Sequence, residues 1–294
     1  GNASPGSTSS THRLAVATLE GGGSWSVSRG ETYTDHWTHP PRFLDDGQTA
    51  VAVAGDRSGW VIVSQRGKRT KELGDTNASV LAVGAAGSTV VWLTQFEGAR
   101  SRKLWRDGRQ VDKRRDWFDL PTLGPGGKTL AYVAEDERGR FVLPAGEQDA
   151  PGRFTHITEL RFDPQGERIA FIANRGGGLL DPDEDPSDWT EIRGGGWSIA
   201  VLDLDQESLV ETPAEGPSRD LTWSPDGTRL AWAEGREEGW QVVCEGLRSQ
   251  AFDDVSAPRF DAAGRTLGFG AREGRELWWR VLEVEPVGAA TDER

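Results

Sequence analysis

The chain has 294 residues, with 47 acidic against 34 basic side chains and a formal net charge of −13. Read over its whole length it shows no Lys/Arg block to offset that charge, which excludes nucleic acid as the expected partner, since such binding needs a positive footprint. A single cysteine, Cys244, excludes an internal disulfide, and no apolar run reaches the length of a membrane span.

The first eleven residues, GNASPGSTSST, read as a flexible polar tail of the kind left after a signal or lipoprotein sequence is cut away. Residues 13–33, RLAVATLEGGGSWSVSRGETY, then give two strands. From residue 42 one pattern recurs, in which an apolar strand runs into a glycine turn and then into a second apolar strand. Its copies are 42–59, 81–98, 122–139, 161–176, 221–235 and 259–274. The turn glycines are Gly47, Gly87, Gly127, Gly166, Gly227 and Gly264, at intervals of 40, 40, 39, 61 and 37. A polar loop follows each second strand, and an aromatic then opens a third: Trp25, Trp60, Trp105, Phe141, Trp197, Trp240 and Trp278. A further glycine marks the turn to a short outer strand.

These units predict an all-β fold of four-stranded antiparallel meanders, with turns that match hairpin chemistry. A period of about 40 residues with strand-type units means a radial or linear array, because one unit cannot bury its own apolar faces. Residues 13–33 mirror 229–249 and add a seventh copy. The missing inner strand at one end and missing outer strand at the other suggest a ring closing on itself, with seven blades, or six with extra closing strands.

The turns SPDGTRLAWAEG (224–235) and DPQGERIAFIANRG (163–176) resemble the repeat of TolB-like, WD-repeat-like β-propellers. The resemblance covers residues 13 to 285 and implies one stand-alone propeller domain over 12–286, with 287–294 as a tail. The turns LGPGG, VGAAG and FDAAG depart from it by lacking the aspartate before glycine. The α/β domain that precedes the propeller in TolB has no counterpart here. Such propellers are most often protein scaffolds and are often exported, which implies a periplasmic, lipoprotein-anchored or secreted bacterial protein, with a cytoplasmic one as the alternative. A minority are lyases, or peptidases with a separate catalytic domain.

Three features compete for function. The 61-residue interval holds an insertion, 177–196, in which Asp181, Asp183, Glu184, Asp185 and Asp188 crowd eight positions, with Pro182 and Pro186 among them stiffening the backbone. Oxygens at alternate positions suit a hard cation such as Ca2+, so Asp181, Asp183, Asp185 and Asp188 are the candidate metal ligands. The EF-hand glycine and glutamate are missing, and a solvated acidic loop is the plainer reading. Trp189, directly after the run, suits contact with a partner.

The second feature is the set of connections leading into each first strand. Aligned on the repeat, Trp37, Trp117, His156 and Asp254 share one slot. A second slot holds His39, Asp119, Thr158, Arg219 and Ser256. Variation at a repeated slot over constant strands is what a binding face on a uniform frame shows. The alternative for Trp37 and Trp117 is packing between blades, as is expected of the strand tryptophans.

Catalytic groups form the third. No G-x-S-x-G elbow is present, and His36 and His39 in TDHWTHPP have a metal-like spacing without further ligands. The expectation is a non-catalytic propeller that binds a protein or peptide as a monomer through one face, by way of Trp37, His39, Trp117, Asp119, His156, Trp189, Arg219 and Asp254. The alternative is a small-ligand or glycan-binding propeller, or a lyase, with a divalent cation at the channel mouth.

Overall fold

A computed structural model describes residues 12–19, 25–33, 42–43, 50–56, 59–64, 67–68, 78–96, 101–115, 117–179 and 192–284. The repeat pattern translates directly into strands. β1 (His12–Leu19) pairs with β2 (Trp25–Tyr33). β3 (Arg42–Phe43), β4 (Ala50–Asp56), β5 (Gly59–Ser64) and β6 (Gly67–Lys68) form an antiparallel meander. So do β7 (Ala78–Ala86), β8 (Thr89–Phe96), β9 (Arg102–Arg106) and β10 (Arg109–Gln110). β11 (Phe118–Leu123) pairs with β12 (Leu130–Asp136), and β13 (Gly139–Pro144) follows.

β14 (His156–Phe162) pairs with β15 (Arg168–Arg175). The small ladder β16 (Gly178–Leu179) with β17 (Ile192–Arg193) then intervenes before β18 (Gly196–Asp203) and β19 (Ser208–Ala214) complete that sheet. β20 (Ser218–Trp223), β21 (Leu230–Arg236), β22 (Gly239–Cys244) and β23 (Leu247–Arg248) form the next. In the last, β24 (Asp254–Val255) and β25 (Arg259–Phe260) are two halves of a first strand on β26 (Thr266–Glu273), with β27 (Glu276–Glu283) beyond. Four of the repeats thus form full four-stranded meanders among the described residues, and the last has three ladder positions with its first strand split in two. The insertion sits between second and third strands, since Arg175 of β15 pairs with Gly196 of β18. The chain divides into two compact units, residues 1–134 with 144–146, and residues 135–143 with 147–294.

Strand alternation sends successive side chains to opposite faces, so each middle strand serves two cores. Along β21, Ala231 and Ala233 join Val242, Cys244, Leu267 and Phe269 on one side. Trp232 points the other way, into a core with Ile172, Trp197, Ile199 and Leu221. These three sheets of the second unit therefore stack face to face, and the expected interblade role holds for Trp197 and Trp232. Trp278 departs from it. It is 45% exposed, beside Trp279 at 68%, on β27, which pairs with β26 and among the described residues with no other strand. Cys244 is fully buried, and that burial, with Glu245 alongside, pushes its thiol up to about 12.

The turns repeat more faithfully than their sequences. In GPGG, DPQG, SPDG and DAAG alike, the glycine N–H donates to the carbonyl three residues back: Gly124, Asp163, Ser224 and Asp261. The aspartate missing before glycine in DPQG and DAAG stands instead at the first position. There Asp163 accepts from the backbone of Glu167 and Arg168, and Asp261 from that of Arg265 and Thr266. In SPDG, Ser224 caps Arg229, while Asp226 takes Thr228. Connections are pinned too. Phe154 exchanges both backbone hydrogen bonds with Arg140, and Phe252 does the same with Trp240. The preceding Gly139 and Gly239 have φ of +127° and +126°. A Cβ there would meet the Phe154 or Phe252 carbonyl oxygen at 2.7 or 2.2 Å, so only glycine allows the approach.

Candidate functional site

The first strands begin earlier than their apolar repeat indicates, and this carries the slot residues into the ladder. Asp119 pairs with Val133, His156 with Asn174, Arg219 with Ala233 and Asp254 with Arg272. Immediately afterwards the register shifts, between Asp119 and Thr122, Ile157 and Glu159, and Arg219 and Thr222. Leu120 and Asp220 sit at these bulges with φ of 45° and 60°. A bulge bends the strand and re-aims the side chains around it, which is how a strand end becomes a recognition rim.

In the first unit Arg102 gathers the predicted residues. Its Nη1 lies 3.2 Å from Asp119 Oδ2 and donates to the Phe118 carbonyl at 3.4 Å. Its Nε donates to Gln95, and its guanidinium carbon stands 5.0 Å from the centre of the Trp117 ring. Trp117 and Asp119 are brought together by an arginine of the preceding sheet.

In the second unit a chain of charges runs across three successive first strands. Arg161 Nη2 lies 2.7 Å from Glu159 Oε1, and Glu159 Oε2 accepts from the Leu221 N–H at 3.2 Å, across to β20. Burial raises Glu159 above the usual carboxylate range, against the pull of Arg161. Arg219 stands 3.5 Å from Asp220, forms an ion pair with Asp254 and donates to the Val255 carbonyl at 2.8 Å, linking β20 to β24. Its guanidinium carbon lies 4.0 Å over the Trp240 ring. Arg219 and Asp254 are thus matched to each other, and both remain nearly half exposed.

His156 takes a different place. It is 8% exposed, and burial followed by the charge of Arg140 lowers it, against a hydrogen bond to the Gly177 backbone. Its ladder partner Asn174 is fully buried, accepts from Gly177 N–H at 2.9 Å and donates to the Gly194 carbonyl at 3.1 Å. The two side chains root the insertion. Trp37, His39, Trp189 and the acidic residues Asp181, Asp183, Asp185 and Asp188 lie outside the described residues. Among the described residues no three His, Cys, Asp or Glu side chains stand close enough to hold a metal ion.

Sequence reasoning missed Arg102, Glu159, Arg161 and Asp220. The last three were legible only as polar letters in strands assigned to packing. Arg102 lies in a cation-rich stretch that the whole-chain charge hid.

No known family profile and no curated protein matches the chain. Solved structures do. An oligogalacturonate lyase in complex with manganese superposes with a TM-score of 0.54 at 11% identity, over 93% of this chain and 86% of that one. A eukaryotic initiation factor gives 0.55 at 9%, over 92% and 72%. TolB from Acinetobacter baumannii gives 0.43 at 15%, over 76% of this chain and 56% of that one, so the chain spans just over half of TolB. The fold is a β-propeller. Identities this low establish the propeller and leave its chemistry to the residues. Among the described residues, no helix of this propeller is long and apolar enough to cross a membrane.

Proposed function

We propose that this propeller is a non-catalytic binding module that holds a protein or peptide at the rim formed by the starts of its first strands. One observation carries the reading. The turns and ladders of successive repeats keep the same hydrogen bonds, while the rim of the second unit changes character from strand to strand: buried His156, then Arg219 with Asp220, then Asp254. A rigid frame with varied, part-exposed charges is suited to specific recognition, because complementary charge sets register and rejects mismatched partners. Placement in the bacterial envelope or outside the cell rests on the sequence resemblance.

Panning a displayed random dodecapeptide library against the immobilised chain tests this. Enriched peptides are expected to lose binding on the double variant Arg219→Ala/Asp254→Ala, which removes both charges together. They should keep it on Thr228→Ala, at the far end of the same strand pair. Failure to enrich any peptide, or equal binding to the double variant, overturns the reading. A glycan-array signal accompanied by a metal-dependent rise in melting temperature would favour the small-ligand alternative.

A further inference from the structure

The outer strands of this fold are guarded against pairing with another chain. β6, β10 and β23 are two residues long, and the longer β19 carries Glu211 and Pro213. β27 departs from them. It runs for eight residues, ELWWRVLE, in unbroken register with β26, and it holds no proline or lysine. Its apolar side chains stand out, Leu277 at 81% and Val281 at 58% exposed with the two tryptophans between them. On the third strand of the preceding sheet, β22, Val242 and Cys244 are fully buried.

One hydrogen bond fixes which way the backbone of this strand points. Val284 N–H donates to the Arg265 carbonyl at 2.8 Å, so the even-numbered residues bond towards β26. Leu277, Trp279, Val281 and Glu283 therefore turn their N–H and C=O groups to the free edge. A second copy running antiparallel meets those groups only if outward residues face outward ones, which puts the two-fold axis on a residue and not between two. With the axis at Trp278, Leu277 stands opposite Trp279 and Glu276 opposite Arg280, each pair twice. An axis at Trp279 would set Glu276 against Leu282, and one at Arg280 would set two arginines face to face.

Arg280 supports the first register. Its Nε is buried without an acceptor, and among the described residues its guanidinium meets rings, 5.1 Å from Trp278 and 5.7 Å from Phe252, and no carboxylate. Glu276 of a second copy would bring that carboxylate to the same face. The ends of the chain offer little to set against Leu277 and Trp279, since residues 1–11 and 285–294 hold no apolar residue larger than valine. Two copies bring four tryptophans together, and aromatic side chains bury about 150–250 Å² each when covered. The contact is therefore near the ~1,000 Å² that a specific interface needs.

We propose that β27 pairs edge to edge with β27 of a second copy of this chain, antiparallel about a two-fold axis at Trp278. The chain is then a dimer in place of the monomer expected from its sequence. This edge is separated from the first strand by β26, so the proposal stands or falls without the rim.

Sedimentation velocity on the full chain over about 1–100 µM tests it. The parent is expected to pass from monomer to dimer, and Trp279→Lys to stay monomeric throughout. Glu276→Arg sets arginine opposite arginine at two places and should weaken association at least about tenfold, while Glu276→Arg/Arg280→Glu restores it. Mild oxidation reads the register. Trp278→Cys puts two cysteines in a non-hydrogen-bonded pair about 4.5 Å apart at Cα, within disulfide reach, and should cross-link. Leu277→Cys, whose counterpart lies about 7–8 Å away on the diagonal, should not. Cys244 is buried and takes no part. A circular dichroism spectrum like the parent's verifies each variant. Five results overturn the proposal: a parent that stays monomeric, open-ended aggregation, dimers unaffected by Trp279→Lys, no rescue by the double variant, or equal cross-linking at 277 and 278.

Discussion

Arg229 is 6% exposed and donates to two backbone carbonyls of the next sheet, Gly264 at 3.0 Å and Val284 at 3.3 Å. Arg168 repeats the contact on Gly227 at 2.6 Å, and Arg106 makes a comparable one on Gly127 at 2.8 Å. In these two repeats the Arg that follows the glycine turn thus ties its turn to the next turn along, while Arg106 reaches Gly127 from a third strand. It does so where a buried carbonyl without a donor is costly. Arg229→Met keeps most of the apolar stem and leaves both carbonyls unpaired, so the expected loss is about 2–3 kcal/mol. Arg168 also holds the fully buried Asp163 carboxylate, its Nε 2.9 Å from Oδ2, so Arg168→Met strips a buried charge of its cation as well as the Gly227 carbonyl of its donor. Arg168→Met should therefore cost at least as much as Arg229→Met. Urea unfolding of both variants gives the order, and a negligible loss in either would contradict the latch.

At the scale of elements, the root of the insertion is the junction most open to test. Asn174 Oδ1 and Nδ2 bond to Gly177 and Gly194, one on each stem, and β16 pairs with β17 directly above. Asn174→Ala removes both links and buries an unsatisfied N–H and carbonyl, so about 1–3 kcal/mol of stability is expected to go. Limited proteolysis should then cut between 180 and 191 faster than in the parent chain while the glycine turns stay resistant. Unchanged cleavage would mean that the short ladder alone sets the stems.

The insertion and the glycine turns were legible in the sequence for the same reason. A turn that closes on a fixed hydrogen bond needs its glycine at a fixed place, so a 61-residue gap among 40-residue gaps stands out. The starts of the first strands were not legible. Asp119 and Arg219 are polar and precede a bulge, which interrupts the two-residue alternation by which a strand is recognised. Arg102 was hidden for another reason. Its partners Trp117 and Asp119 lie on the next sheet, and pairing between sheets leaves no period along the chain.

For the whole molecule the charge balance becomes a statement about pH. Stability rises with pH wherever the unfolded chain binds more protons than the folded one. His156 is lowered from 6.5 by burial, so as pH falls below that value the unfolded chain takes up a proton that the folded chain refuses, and stability drops. Asp136 is held down to about 2, because hydrogen bonds from Arg153 and Arg138 outweigh the effect of burial. Asp226 is also near 2, chiefly through Ser224. Their contributions are complete above 3.8 and disappear as pH falls towards 2. Glu159 has the opposite sign. Being raised, it favours the folded state as carboxylates begin to protonate, and so separates the two losses. The urea midpoint is therefore expected to fall in two stages, a shallow one below about pH 6.5 and a steep one below about pH 4. One proton sets the upper limit on the first slope at about 1.4 kcal/mol per pH unit. His156→Gln should flatten the first stage alone, and Asp136→Asn should make the second shallower while leaving the first intact. If His156→Gln kept the shallow stage, the proton would have to be taken up elsewhere, and the buried histidine at the root of the insertion would be electrostatically silent.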